Sequence, residues 1–252
     1  MKLALAINKK YSRNNPTIEL FVKQAESIGL KYEFCEEFSI PNADFLFIFG
    51  GDGTVLHYAK QSNLPVVAVN MGKLGFMSQI SANEKDIAEK LLRLKNGDYS
   101  VLKRATLDVV TGAYRYEAIN DIVLSGVDRT KSVVVEIELN NQKIKLTGDG
   151  VIVSTPTGST AYCLASGGPA ILTESQVFAF TPIGCVNPTV VYPQAFSLIV
   201  KPVSGDFALN VDGVMQKLDG EITVNKSKND KDFIIFENNY FKKLNHKLAD
   251  SF

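Results

Sequence analysis

The chain has 252 residues, with 27 Lys+Arg balanced by 27 Asp+Glu and 45% hydrophobic content. This is enough to bury one large core or two smaller ones, and a formal net charge of zero supplies no field for nucleic acid or an anionic membrane, so neither is expected as a partner. Three cysteines (Cys35, Cys163, Cys185) without CxxC spacing and two histidines (His57, His246) argue against a disulfide framework or a structural zinc site. The opening apolar run is too short for a signal sequence, and no run of 18 apolar residues occurs, so a soluble, cytoplasmic protein is expected.

The first hundred residues alternate strand-like and helix-like segments. KLALAI (2–7) reads as a buried strand. Asn15 and Pro16 then form a cap and first-turn proline, opening a helix to Gly29 with Ile18, Phe21, Val22, Ala25 and Ile28 inward. KYEFC, DFLFIF and PVVAVN (65–70) are further strands, with a short helix TVLHYAKQ before the last of them. A helix over about 83–95 is stopped by Gly97. Continuous apolar strands alternating with helices predict a parallel α/β sheet.

Beyond residue 100 the rhythm changes. ATLDVVT, YRYEAIN, DIVLSG, VVVEIELN, KIKLTG and GVIVSTP are strand-like, with a hairpin turn at Asn140-Asn141; FSLIVKPV, FALNVDG, EITVN and FIIFENN follow. Only the stretch after Thr160 reads as helical, and briefly. The expected division is therefore 1–100, an α/β domain carrying the glycine-rich turn, and 101–252, a mostly β domain. Its last segment is a candidate for packing back on the first domain.

Three constellations carry chemistry. GGDGT (50–54) ends a buried strand and opens a helix, a geometry that offers backbone N–H groups to phosphate, with Thr54 available as a cap. Its carboxylate, Asp52, repels phosphate unless it holds a divalent metal or accepts a proton from a hydroxyl nucleophile. The bland alternative is a tight turn in which Asp52 is a local cap. No P-loop string is present, and Leu56 stands where the dinucleotide fingerprint needs its last glycine.

Asn120-Asp121 interrupts an apolar pattern. An amide beside a carboxylate suits paired ribose hydroxyls, although a strand-end Asx turn explains the pair as well. In GDGVIVSTPTGSTAY (148–162), the hydroxyls of Ser154, Thr155, Thr157, Ser159 and Thr160 crowd one strand end, with Ala161 and the aromatic face of Tyr162 beside them. They read as a polar nucleoside pocket, or else as a Ser/Thr-rich loop capping a helix.

GGDGT, Asn120-Asp121 and GDGVIVSTPTGSTAY, in this order and spacing, resemble the ATP-NAD kinase family. NMGKLGFM (70–77) is similar to that family's N-x-G-x-L-G-F-L segment, and VDGVMQ (211–216) to its D-G-Q motif. GGDGT is shared with lipid kinases and 6-phosphofructokinases of the same superfamily, whereas STPTGSTAY is strongly specific. The match spans nearly the whole chain.

The resemblance implies a Rossmann-like, phosphofructokinase/diacylglycerol-kinase-like α/β domain with a parallel sheet, followed by a β-rich C-terminal domain. It implies transfer of the γ-phosphate of ATP, or of phosphate from polyphosphate, to the adenosine-ribose 2′-hydroxyl of NAD. Mg²⁺ or a similar ion and a homodimer or homotetramer are also implied.

Carried over by position, Asp52 is the catalytic carboxylate and the possible metal contact, with Gly51 and Gly53 beside it. His57 and Phe76 match positions near the dinucleotide, although His57 also reads as an exposed helix residue. Asn120, Asp121 and Asp149 match substrate contacts. Thr157, Ser159, Thr160, Ala161, Tyr162, Cys163, Leu164 and Ala165 match the adenosine-pocket stretch.

Thr147 stands where relatives often carry arginine, TPIGCVNPTVVYP (181–193) lacks the family's histidine, and Val214 replaces the glutamine of D-G-Q, with Gln216 two residues on. Two rival readings are a superfamily lipid kinase and a non-catalytic dinucleotide sensor.

Overall fold

The computed structural model describes residues 1–36, 39–72 and 75–249, with side chains 247 and 248 excepted. The chain divides into two compact units, one formed by Met1–Lys103 with Lys231–Phe252 and the other by Arg104–Asp230.

The first unit runs β1 (Lys2–Ile7), α1 (Pro16–Ser27), β2 (Lys31–Phe34), β3 (Phe45–Gly50), α2 (Asp52–Lys60), β4 (Val66–Asn70), β5 (Ile80–Ser81), α3 (Glu84–Lys95) and β6 (Ser100–Arg104). Every residue of β3 is buried, as a central strand covered on both faces requires. Local chemistry sets the helix starts. Asn15 Oδ1 accepts from Thr17 N at 3.0 Å ahead of Pro16, and Asn83 Oδ1 accepts from Asp86 N at 3.0 Å. Ile18, Phe21 and Ala25 of α1 are fully buried, while Val22 and Ile28 pack at the margin of the same core.

The second unit contributes β7 (Leu107–Thr111), β8 (Tyr114–Ala118), β9 (Asp121–Gly126), β10 (Val133–Leu139), β11 (Gln142–Gly148) and β12 (Gly150–Ser154). A short helix α4 (Tyr162–Ala165) precedes β13 (Val177–Ile183), β14 (Val190–Pro193), β15 (Leu198–Ser204), β16 (Phe207–Val211), β17 (Val214–Gln216) and β18 (Ile222–Lys226). Among the described residues these strands form two sheets, ordered β11-β10-β15-β18-β7-β8 and β14-β13-β12-β9-β16-β17. Neighbours within each sheet are antiparallel. One apolar core, including Val109, Ile122, Val135, Val153, Phe180 and Val224, draws on both sheets, which makes the unit a β-sandwich. Asn140 and Asn141, at φ 50° and 62°, close the β10–β11 hairpin in two residues.

The chain then returns to the first unit through β19 (Lys231–Ile235), which pairs parallel to β4, and α5 (Tyr240–Ala249). The order of the first sheet is β2-β1-β3-β4-β19-β6, with β5 beside β4. Helix α5 is not foreseen from the sequence. Among its described side chains the buried one is a lysine, Lys243, and Phe241 is 67% exposed, so counting apolar residues misses the inward face.

The order β2-β1-β3 has a direct consequence. The chain leaves β1 in one direction for β2 and in the other for β3 and β4. The carboxyl ends of β1 and β3 therefore flank the switch point, where crevices form in open α/β sheets.

Candidate functional site

A cavity of about 670 Å³ opens at that switch point. Asn8, Lys10 and Tyr11, just past the end of β1, line it together with Gly51, Gly53 and Thr54 at the start of α2 and His57 further along that helix. The GGDGT turn thus faces a hollow of the size that takes a small-molecule ligand.

The glycines of this turn have different reasons to be glycine. A Cβ on Gly50 would lie 2.6 Å from Thr54 Oγ1, so the close approach of strand and helix requires its absence. Gly51 and Gly53 have open space where a side chain would project, and neither adopts a positive φ. The fold does not demand glycine at these two positions, and both line the cavity.

Helix α2 begins at Asp52 with Gly51 as its N-cap and no side-chain cap. The expected cap, Thr54, lies inside the helix, and its Oγ1 accepts from Asn8 Nδ2 at 2.5 Å, tying the turn to the end of β1. The helix therefore presents first-turn amides that no side chain caps, at the end of its dipole that favours an anion.

Asp52 is half-buried and does not cap its own helix with its side chain. Its Oδ2 accepts from Phe76 N at 2.9 Å and its Oδ1 from Met77 N at 3.1 Å. Gly75 packs so closely on this carboxylate that a Cβ there would collide with Oδ1. Residues 75–77 of NMGKLGFM therefore bear on GGDGT directly, Lys73 and Leu74 lying outside the described residues, and Phe76 contributes its backbone amide to the hold on Asp52. His57 is exposed, has Gln61 Nε2 at 3.0 Å from its Nε2, and lines the cavity.

In the second unit, Asp212 organises the Asn120-Asp121 pair. Its carboxylate accepts from the amides of Ile119 (2.8 Å), Asn120 (2.7 Å) and Asp121 (3.0 Å), and its own amide donates to Asp121 O at 2.9 Å. Asn120 Oδ1 is enclosed and has no hydrogen-bond partner among the described residues. Asp121 is buried, at the start of β9.

The hydroxyls of residues 154–160, read from the sequence as a nucleoside pocket or a helix-capping loop, turn inward. All five hydroxyl residues are buried and their hydroxyls bond within the protein. Ser154 Oγ donates to Thr155 O, and Thr155 Oγ1 donates to Ile119 O while accepting from Gly158 N. Thr157 Oγ1 accepts from an Arg104 guanidinium N–H at 3.1 Å. Ser159 Oγ donates to Pro156 O at 2.7 Å and accepts from Ile171 N at 2.9 Å, and Thr160 Oγ1 donates to Thr157 O at 3.4 Å. A strand end turning sharply into a short helix leaves many backbone groups without ladder partners, and these hydroxyls satisfy them.

Tyr162 is different, being 47% exposed at the start of α4 and able to offer its ring. Ala161 and Leu164 are half-buried and Ala165 is exposed. Cys163 is buried against Thr181 Oγ1 at 3.2 Å, and burial pushes its thiol pKa up. Thr147 and Asp149 are exposed on either side of the buried Gly148.

Asn8, Lys10, Tyr11 and Asp212 are absent from the sequence-based site. A signal existed for the first three, because polar and basic residues directly after a buried parallel strand fall where switch-point ligands bind. Asp212 had a weaker one, an Asp-Gly pair in the VDGVMQ string, and the structure places it at φ 48°.

Among the described residues no group of three or more His, Cys, Asp or Glu could hold a metal ion. No helix among them is long and apolar enough to cross a membrane.

A parallel α/β unit with a Gly-Asp-Gly turn at its switch point, joined in sequence to a β-sandwich with a rebuilt strand end, is the plan of a small-molecule phosphotransferase. Comparison with known proteins makes this particular. The ATP-NAD kinase N-terminal domain profile matches residues 7–99 and the ATP-NAD kinase C-terminal domain profile matches residues 119–236. An NAD kinase of Methanosphaera stadtmanae is 30% identical, aligned over 96% of this chain and 92% of its own. The structure of an Archaeoglobus fulgidus NAD kinase in complex with ATP superposes with a TM-score of 0.84 at 21% identity, covering 99% of both chains. A yeast NADH kinase complexed with NADH gives 0.82 at 22% identity, covering 98% of this chain and 87% of that one. At these identities the two structures speak for the fold alone. The chain belongs to the ATP-NAD kinase family, and it is a phosphotransferase to an alcohol acceptor.

Proposed function

We propose that this protein transfers the γ-phosphate of ATP to the 2′-hydroxyl of the adenosine ribose of NAD, giving NADP and ADP, with polyphosphate as the alternative donor. The observation that carries this reading is the placement of Asp52. A half-buried carboxylate is held by two backbone amides between glycines that the fold itself does not require. Open glycines at a helix N-terminus let phosphate oxygens approach the main chain, while Lys10 and His57 bring polar and cationic groups to the same cavity. On the acceptor side, Asn120 Oδ1 lacks a donor that a ribose hydroxyl would supply, and Tyr162 offers a ring to a base.

A divalent ion fits these residues in one way. Mg²⁺ is commonly held by one or two carboxylates plus substrate phosphates, and Asp52 supplies one such carboxylate at the turn. When bound, it would neutralise charge on the transferring phosphoryl group.

The ribose oxygen forms a bond to the γ-phosphorus as the bond from that phosphorus to the ADP oxygen breaks, and the hydroxyl proton passes to Asp52. An aspartate is a weak base towards an alcohol, so this proton moves late in a loose transition state. Positioning and charge stabilisation by the turn's amides supply most of the acceleration.

The test is direct. Purified protein with NAD, Mg²⁺ and either ATP or polyphosphate should produce NADP, detected with an NADP-specific dehydrogenase. Asp52→Asn keeps only one of the two amide contacts, so it should remain folded at some cost in stability and lose about three orders of magnitude or more in kcat. Measurable NAD binding without NADP from either donor would indicate a sensor, and phosphorylation of a lipid hydroxyl instead would indicate a lipid kinase. A folded Asp52→Asn enzyme with near-wild-type turnover would remove Asp52 from the chemistry.

A further inference from the structure

Helix α5 carries a lysine in a place where a lysine is costly. Lys243 is 4% exposed, and burying an amine instead of a methylene side chain sacrifices its hydration. Its Nζ donates to Phe76 O at 3.0 Å and to Ser78 O at 2.5 Å. The carbonyl of Phe76 and the amide of Met77 are the two ends of one peptide group, and that amide donates to Asp52 Oδ1. Lys243 therefore grips from behind the same peptide plane that grips the aspartate in front.

Three further contacts stiffen the arrangement. Ser78 Oγ donates to Gly75 O at 3.0 Å, the Phe76 and Tyr240 rings meet edge to face at 5.9 Å, and Gly75 leaves no slack against the carboxylate. A donor on the carbonyl also polarises the peptide and strengthens the hydrogen bond made by its N–H.

We propose that Lys243 is a positioning residue for phosphoryl transfer, fixing the 75–78 peptide planes so that Asp52 points its carboxylate at the reacting hydroxyl. The inference rests on the reading of Asp52 as the proton acceptor. It gives the last helix of the chain a part in the chemistry that its sequence does not suggest. A purely structural lysine would stabilise the fold and leave turnover of the folded enzyme alone. A positioning lysine alters turnover while substrate binding stays put.

Lys243→Met keeps volume and removes the donor, whereas Lys243→Arg keeps donors and charge. The methionine variant should show kcat about 10- to 100-fold lower, with KM for NAD and ATP within about twofold of wild type. The arginine variant should recover a substantial part of the loss. Amide exchange across residues 75–78 should be faster in Lys243→Met. Combined with Asp52→Asn, the methionine change should alter kcat by less than about twofold, because no carboxylate remains to aim.

If Lys243→Met does not fold, Lys243→Gln is scored by the same criteria. Wild-type kcat in the folded variant, a rise in KM alone, or an equal further loss in the Asp52→Asn background would each overturn the proposal while Asp52 keeps its role. Wild-type turnover of Asp52→Asn alone would overturn both.

Discussion

The turn at residues 50–54 and the loop at residues 154–160 look alike in sequence, each being a glycine-bearing polar stretch at the end of a buried strand just before a helix. In the structure they are opposites. At the turn, Gly51 and Gly53 face open space and line a cavity, and the chain's own packing would tolerate a side chain at either. At the loop, a Cβ on Gly158 would run into the backbone of Asn120, and the surrounding hydroxyls are consumed by carbonyls and amides of the protein itself. The lesson is to ask what demands each unusual residue. Where the fold demands it, the residue builds the site's wall; where the fold is indifferent, the remaining claimant is a ligand.

The largest expected effect comes from crossing that divide at the loop. Gly158→Ala must push its methyl into the peptide of Asn120, so it should cost about 3 kcal/mol or more of stability and displace the Asn120 side chain. Chemical denaturation should register the first effect, and calorimetric titration with NAD the loss of binding. A variant as stable as wild type would show that the loop yields easily and that the fold does not require glycine at residue 158.

Ser159→Ala is gentler, because it removes one hydroxyl that accepts from Ile171 N and donates to Pro156 O in a fully buried setting. It should cost about 1–3 kcal/mol, with the kcat and NAD affinity of the folded fraction nearly unchanged. A large change in affinity at unchanged stability would return Ser159 to the role of a ligand contact.

How much of this was legible beforehand follows the range of the interactions. The α/β alternation, the caps at Asn15 and Asn83 and the Asn140-Asn141 hairpin are written within a few residues, so reading the chain locally finds them. The GGDGT turn between a buried strand and a helix is visible for the same reason. The grip of Asp212 on residues 119–121, and of Lys243 on the carbonyls of Phe76 and Ser78, joins segments that only the folded topology brings together. Lys243 even misleads, since a buried lysine reads as solvent-facing and hides helix α5. The orientation of the hydroxyls at 154–160 was obscure for a further reason. Serine and threonine serve ligands and backbone with the same atoms, and composition cannot tell which.

The smallest expected effect is the sharpest, because stability and activity should move in opposite directions. Gly53 lies in the first turn of α2, where glycine forfeits about 0.5–1 kcal/mol of helix stability relative to alanine. Its backbone is not in a left-handed conformation and a methyl there touches nothing, so Gly53→Ala should raise the melting temperature slightly. If the open space beside Gly53 is kept for a phosphate group, the same methyl should lower kcat/KM for the phosphate donor about tenfold. A gain in stability with undiminished activity would mean that nothing approaches this face of the turn, and the donor would have to be placed elsewhere. A loss of both would mean that the glycine serves the fold after all, and the turn would then resemble the loop it has been set against.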